Sequence, residues 1–173
     1  ALLGVTEADA QMDEGADWAR GHFYENGLKA VLPKLGFLFT PQRFGGGMFN
    51  FLAMLHQAGV TTALDMGTGI YGNPVGEIAG VRAAANAYPV PVRLILTPII
   101  LDFLTRGKTP EEALAEILAW QTGNDDRVMV GNHFKLMIDG AIFSGLAQMG
   151  PPGYLDGHRG VWMVPETVLR AYG

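Results

Sequence analysis

The chain has 173 residues, 49% of them hydrophobic and 17% charged, and its formal net charge is −5. This length can bury one sizeable core, so we expect a single domain. The acidic balance gives no support for binding nucleic acid or an anionic membrane. Because there is no cysteine, disulfides, cysteine nucleophiles and thiolate zinc sites are excluded, and nitrogen and oxygen atoms would have to hold any metal.

No apolar run reaches the roughly 20 residues of a membrane helix, and the N-terminal sequence has no signal-peptide layout. We therefore expect a soluble chain without a membrane partner, and a cytoplasmic location is favoured. The 24 glycines and 10 prolines predict many sharp turns between short strands and helices.

Residues 1–47 are predicted to form a helical and loop approach, and residues 48–173 a series of βα units. Thr6 and Asp9 have the spacing of a helix-capping box, and Pro33 is expected to end or bend this first helix. No change of composition marks a boundary, so both parts are assigned to one segment.

The next elements alternate between helix and strand. Apolar residues at helical spacing predict a helix over 48–59, and the β-branched residues of VTTALDM (60–66) predict a buried strand. A glycine-rich loop, GTGIYGNPVG, follows this strand, and the alanine-rich stretch 74–88 predicts another helix.

The second half of the chain continues the alternation. VRLILTPII (92–100) has the continuous apolar character of a strand buried on both faces, as in parallel sheets. TPEEALAEILAWQTG predicts a helix with Thr109 at the cap and Pro110 at the first position. HFKLMIDG (133–140) is interpreted as the third strand, and a last helix is predicted to start at Pro165. The order βαβαβ predicts the α/β class with parallel strands.

Ligands of parallel α/β proteins meet the carboxyl ends of the strands. The residues there are Asp65, Thr97 and the stretch from Lys135 to Asp139. Asp65 is either a site carboxylate or a cap on the glycine-rich loop, and Thr97 is expected to be structural. Strand alternation predicts that His133 shares the face of Lys135, so this pair is a candidate site at a strand end.

The remaining short motifs are weak. The histidines form no HxH or HExxH pair, and His158 lies in a glycine-rich loop where it either contacts a ligand or is simply solvated. GTGIYGN has the GxGxxG spacing, but the next predicted strand lacks the acidic residue that dinucleotide binding needs. A nucleotide-binding domain is therefore a third hypothesis, behind the two given below.

Several stretches resemble the amidohydrolase superfamily, in particular its amidohydrolase-3 branch of N-substituted formamide deformylase-like enzymes. The stretches are GVTTALDMG, VRLIL and FKLMIDGAIFSGLAQMGPPGYLDGHRGVW, with GHFYENGLKAV upstream. The matching positions are Gly21, Glu25, Gly59 to Asp65, Lys135, Asp139, Gly140, Ser144, Ala147, Tyr154, Asp156 and Gly160. The block from Lys135 to Gly160 is the most specific part.

The resemblance implies part of a metal-dependent (β/α)₈ TIM-type barrel that hydrolyses amide or other C–N bonds of a small-molecule substrate. In many members of the superfamily a lysine at the end of the fourth strand is carboxylated and bridges two divalent metals. By resemblance, Lys135 is the metal ligand, and one or two zinc ions are the implied cofactor. A carbamate turns the cation into an oxygen-donor anion, and a bound metal can generate hydroxide at neutral pH.

The resemblance also implies a pocket around this lysine. Lys135 and Asp139 are the implied catalytic residues, although Asp139 could instead fix the turn after its strand. The implied substrate-binding residues are Asp65, His133, Ser144, Tyr154 and His158.

The chain departs from the family in three ways. It has no His-x-His, it ends before the strands that would carry further histidines and an aspartate, and Gly145 replaces an arginine after the serine. We therefore expect a fragment whose exposed sheet edges need a second copy or a complementing chain. The alternative is a catalytically inactive, truncated homologue that folds as a small α/β module or self-associates without metal.

Overall fold

The computed structural model describes residues 3–8 and 16–172. Their contacts define two compact units: Gly36–Leu136, and the residues up to Leu35 together with those from Met137 onward. The single segment inferred from the sequence stays a prediction. Asp9 of the predicted capping box lies outside the described residues.

The unit Gly36–Leu136 contains a parallel three-stranded sheet in the order β1-β2-β3. Its strands are β1 (Thr62–Thr68), β2 (Arg93–Pro98) and β3 (Val128–Val130). Its helices are α2 (Pro41–Gln57), α3 (Pro74–Ala87), α4 (Ile100–Thr105) and α5 (Pro110–Gln121). The predicted α/β class with three parallel strands and flanking helices is confirmed.

The two faces of this sheet differ in burial. Leu94 and Leu96 of β2 and their register partners Val128 and Val130 of β3 are at most 5% exposed. Helices α3 and α5 pack against the strands, and this packing explains why one face of the sheet is buried. The opposite face, which we call the open face, carries Leu64, Ile95 and Met129 in register, and Leu64 is 49% exposed.

The expectation that 60–66 forms a buried strand was wrong, because most of β1 is exposed. β1 is the outer strand of the sheet and pairs only with β2 among the described strands. Apolar, β-branched composition indicates a strand but does not determine what packs against it.

The third strand was also misplaced by the sequence interpretation. The strand is Val128–Val130, and Gly131 N–H still donates to Leu96 O at 2.9 Å. The chain then leaves the ladder and rejoins it where Lys135 N–H donates to Pro98 O at 2.8 Å. Four residues on one side therefore match two on the other, as in a bulge, so HFKLMIDG does not form a continuous strand.

The capped helix was predicted correctly. Thr109 Oγ1 accepts from Glu112 N–H at 3.3 Å, and the Glu112 carboxylate accepts from Thr109 N–H at 2.9 Å. This capping box satisfies two amide groups that a helix start leaves without partners. Helix α4, by contrast, was not predicted.

The other unit contains two short helices, α1 (Glu25–Val31) and α6 (Glu166–Tyr172). The 3₁₀ segment Leu32–Leu38 follows α1, as the expected break at Pro33 requires. Among the described residues of the predicted N-terminal helix, 25–31 are α-helical, whereas 16–24 form turns and a single bridge. Between 138 and 163 the backbone is held by loop hydrogen bonds such as Met163 N–H to Ile138 O at 2.9 Å.

Among the described residues, no helix is both long and apolar enough to cross a bilayer.

Two leucine-to-alanine variants test the difference between the faces. Leu96→Ala should lower the free energy of unfolding by about 2–5 kcal/mol because it opens a cavity on the covered face. Leu64→Ala should cost under about 1 kcal/mol because that side chain is half exposed. Urea unfolding of both variants measures the two costs, and equal costs would contradict an open face.

Candidate functional site

Asp65 lies in the middle of β1 and accepts hydrogen bonds from the residues that follow it, which lead into the glycine-rich loop. One carboxylate oxygen accepts from Gly67 N–H at 3.0 Å, and the other accepts from the Thr68 hydroxyl at 2.7 Å. This is the capping role that the sequence left open as an alternative. Substrate binding by Asp65 stays a prediction.

His133 lies at the carboxyl end of the sheet, on the side of Ile95. Its Nε2 is 3.1 Å from the hydroxyl of Thr97, which is fully buried. Gly131 makes this approach possible, since a Cβ there would lie 2.8 Å from the imidazole Cε1 and 3.5 Å from Ile95. His133 belongs to the bulge, so the alternation rule that placed it beside Lys135 does not apply.

Lys135 is held by its backbone at the end of β2. Its N–H donates to Pro98 O at 2.8 Å, and its C=O accepts from Ile100 N–H at 3.0 Å. The partly buried side chain forms neither a hydrogen bond nor an ion pair with any residue that the structure describes. The strand end thus presents a lysine that has no counter-ion among residues 3–8 and 16–172.

The predicted residues Ser144, Tyr154 and His158 are brought together in the other unit. They line a cleft of about 650 Å³ with Gly145, Leu146, Leu155 and Asp156. The sequence placed these residues in one pocket through resemblance alone, and the structure gives three of them a common location.

Glu25 fixes one wall of this cleft. A single carboxylate oxygen accepts from Ala141 N–H at 2.7 Å and from the Ser144 hydroxyl at 3.1 Å. Glu25 also has a φ of 35°, which non-glycine residues rarely adopt. The N-terminal motif GHFYENG thereby supplies the anchor of a loop more than a hundred residues away.

His158 is held at both ring nitrogens. Nδ1 is 2.6 Å from an Asp156 carboxylate oxygen, and Nε2 is 2.7 Å from Gly145 O. Both partners are acceptors, so the two contacts together require the doubly protonated ring. The imidazole also stacks on the Tyr154 ring with centroids 4.5 Å apart.

These contacts do not form the hydrogen-bond chain of a nucleophilic triad. The Ser144 hydroxyl donates toward Glu25 and Ala141 O, while His158 Nε2 faces a carbonyl. A serine nucleophile needs a base that accepts its proton. Within the described residues, the acceptor next to Ser144 is the Glu25 carboxylate, and the serine–histidine contact of a triad is absent from this cleft.

Asp139 fixes a turn, as the alternative interpretation held. Its Oδ2 accepts from Gln148 N–H at 2.8 Å, and its backbone forms a bridge with Trp162. A catalytic role for Asp139 stays a prediction.

A metal would need more ligands than these residues provide. Across 3–8 and 16–172, no three His, Asp or Glu side chains lie close enough to hold an ion. The donors present therefore do not fit a complete zinc site, and Lys135 would be one ligand among others from elsewhere.

Glu77, in the first turn of α3, was missed by the sequence reasoning. Its Oε2 accepts from Gly69 N–H at 2.9 Å, and burial raises its pKa to about 7 although that hydrogen bond opposes the rise. A glutamate in the first turn of a helix ordinarily stabilises the helix dipole. The neighbouring sequence therefore gave no reason to assign Glu77 to a site. The Glu77 carboxylate also occupies the Gly69 N–H of the GTGIYGN loop, which a bound phosphate would need as a donor. This hydrogen bond disfavours nucleotide binding.

Removing the Glu25 anchor should loosen the Ser144 loop. Glu25→Ala leaves the Ala141 amide without its acceptor, which should cost about 1–3 kcal/mol of unfolding free energy. Amide hydrogen exchange at Ala141 should accelerate, whereas the exposed control Glu166→Ala should leave it unchanged. Unaltered exchange in Glu25→Ala would contradict the anchor.

The Asp156–His158 pair should titrate at low pH. The His158 side chain lowers the pKa of Asp156, and the His158 N–H lowers it further. A lowered carboxyl pKa stabilises the loop above the ordinary value of about 3.9, and the effect is lost as pH falls through the folded-state pKa. An NMR titration of the Asp156 carboxyl carbon measures this, and His158→Gln should return the pKa toward its ordinary value.

Comparison with known proteins adds no relative: no family model, no curated protein and no solved structure matches the chain. The resemblance to amidohydrolases rests on the sequence motifs quoted above. The structural observations that bear on a site are the position of Lys135 and the cleft lined by Ser144, Tyr154 and His158.

Proposed function

We propose that the chain is a segment of a metal-dependent hydrolase of amide or other C–N bonds, and that Lys135 is its metal ligand. The observation that carries the proposal is the position of Lys135, whose backbone lies at the carboxyl end of a parallel sheet and whose side chain has no described ion-pair partner. Ligands of parallel α/β folds bind at that end. CO₂ reacts with the neutral form of an amine, and an ion pair would favour the protonated form instead.

The sheet supports a barrel rather than a doubly wound fold. Its strands pair in chain order, β1-β2-β3, as neighbouring strands do around a (β/α)₈ barrel. The first three strands of a doubly wound sheet can also be neighbours in chain order, but helices cover both faces of such a sheet, so the open face is what favours the barrel. We assign the open face with Leu64, Ile95 and Met129 to the inside of the proposed barrel.

The contribution of this chain is one ligand and part of the pocket wall. Carboxylation joins the Lys135 nitrogen to the carbon of CO₂ with loss of a proton, and it gives an anion with two oxygen donors. The described residues do not complete a metal site by themselves. The assignment of hydrolysis rests on the resemblance to amidohydrolases. The reaction would require further metal ligands from other residues.

A self-associating module without metal is the second candidate. The outer edge of β1 and the half-exposed Leu64 favour it, because uncovered edges and apolar surface promote pairing between chains. This candidate requires neither a carbamate nor bound zinc.

Carbon-13 NMR with labelled bicarbonate and zinc separates the two candidates. We expect a carbamate carbon signal in the natural chain and in Lys34→Arg, whose lysine is exposed. The signal should disappear in Lys135→Arg, because a guanidinium cannot be carboxylated in this way.

A chain that gives no carbamate signal with zinc, or a signal that persists in Lys135→Arg, would contradict the role of Lys135. Analytical ultracentrifugation of the same samples would then show whether the metal-free chain self-associates.

A further inference from the structure

We propose that a cleft between residues 36–49 and α3 binds a small organic ammonium ion, with Glu77 as its counter-ion and aromatic rings as its walls. This site lies wholly within the unit Gly36–Leu136 and is independent of the proposed hydrolase function. It involves neither Lys135 nor the Ser144 cleft.

The cleft has the size and lining of a ligand site. Its volume is about 570 Å³, and small-molecule pockets span roughly 300–1,000 Å³. Four aromatic rings line it, those of Phe39, Phe44, Phe49 and Tyr71. The α3 side is made of small residues, which leave room for a ligand: Gly76, Gly80, Ala83, Ala84 and Ala87.

The rings are positioned by their neighbours. The Phe39 and Tyr71 centroids are 4.5 Å apart with a 41° angle between the planes, and Phe49 meets Tyr88 edge-on at 5.6 Å. Phe44 packs so closely on α3 that a Cβ at Gly80 would lie 2.8 Å from its ring. Such walls need little rearrangement when a ligand binds.

Glu77 is the one carboxylate in the lining. Its Oε2 bonds to the Gly69 amide, and it forms no ion pair with a described lysine, arginine or histidine. The other charges acting on it are negative: Asp65 of β1 and Asp102 of α4, which is itself paired with Arg106 at 2.7 Å. The α2 residues in the lining are uncharged, and Arg43 of the same helix is exposed and does not line the cleft.

This environment favours a cation over a neutral or anionic ligand. The negative charge of Glu77 itself repels anions, and a half-buried carboxylate without a described counter-ion is stabilised by a positive charge. Aromatic faces attract ammonium groups by about 0.5–2 kcal/mol, which is how quaternary ammonium ligands are recognised elsewhere. A pKa of about 7 means that the negative form of Glu77 becomes populated near neutral pH.

The test compares choline with its uncharged isostere 3,3-dimethylbutan-1-ol, by NMR titration of the natural chain. Choline should bind more tightly than the isostere at pH 8. Because only ionised Glu77 pairs with the cation, choline affinity should fall roughly tenfold between pH 8 and pH 6. Affinity for the isostere should not change with pH.

Variants separate the contributions of charge and rings. Glu77→Gln keeps an acceptor for Gly69 but should lose the preference for choline and its pH dependence. Tyr71→Leu should weaken choline binding at both pH values, and Glu111→Gln, an equal charge loss on α5 outside the cleft, should leave it unchanged.

Equal binding of choline and the isostere to the natural chain, or no binding of choline, would overturn the proposal. So would a folded Glu77→Gln chain that binds choline as the natural chain does. If Glu77→Gln fails to fold, as circular dichroism would show, the isostere comparison and Tyr71→Leu still decide. A negative carbamate experiment on Lys135 has no bearing on these outcomes.

Discussion

Parallel pairing of β2 with strands on both sides is the constraint on which this structure depends. β2 supplies the buried Leu94 and Leu96 of the covered face and ends at Thr97 and Pro98. That end receives the bulge after β3, and backbone bonds there fix where Lys135 emerges. Shifting the register of β2 by one residue would exchange its two faces and displace the site residues held at its end, His133 and Lys135.

Features that depend on neighbouring residues in the sequence were predicted well. Features that depend on contacts between distant residues were not. Thr109 and Glu112 form their capping box because both halves lie within four residues. Three residues are too few for periodicity to reveal β3. The apolar residues of HFKLMIDG suggested a continuous strand, because nothing in the sequence indicates the bulge before Lys135. The importance of Glu77 arises from Gly69, Asp65 and Asp102 around it, which no window of sequence contains.

Most candidate site residues turn out to serve the backbone. Asp65 and Asp139 accept backbone amide hydrogen bonds, and His158 donates to a carbonyl, so each stabilises a loop. Lys135 differs, because its side chain forms no hydrogen bond or ion pair with the residues described. Glu77 accepts one backbone hydrogen bond, but it lines a cleft, its burial raises its pKa, and no described cation pairs with it. Ionisable groups in such surroundings are candidates for function, and both proposals start there.

Thiol labelling tests the central claim, a sheet with one covered and one open face, most directly. The chain has no cysteine, so Leu64→Cys and Leu96→Cys each carry a single probe. The account predicts rapid labelling of the first and strong protection of the second under native conditions. Equal rates would contradict the open face and the barrel segment inferred from it.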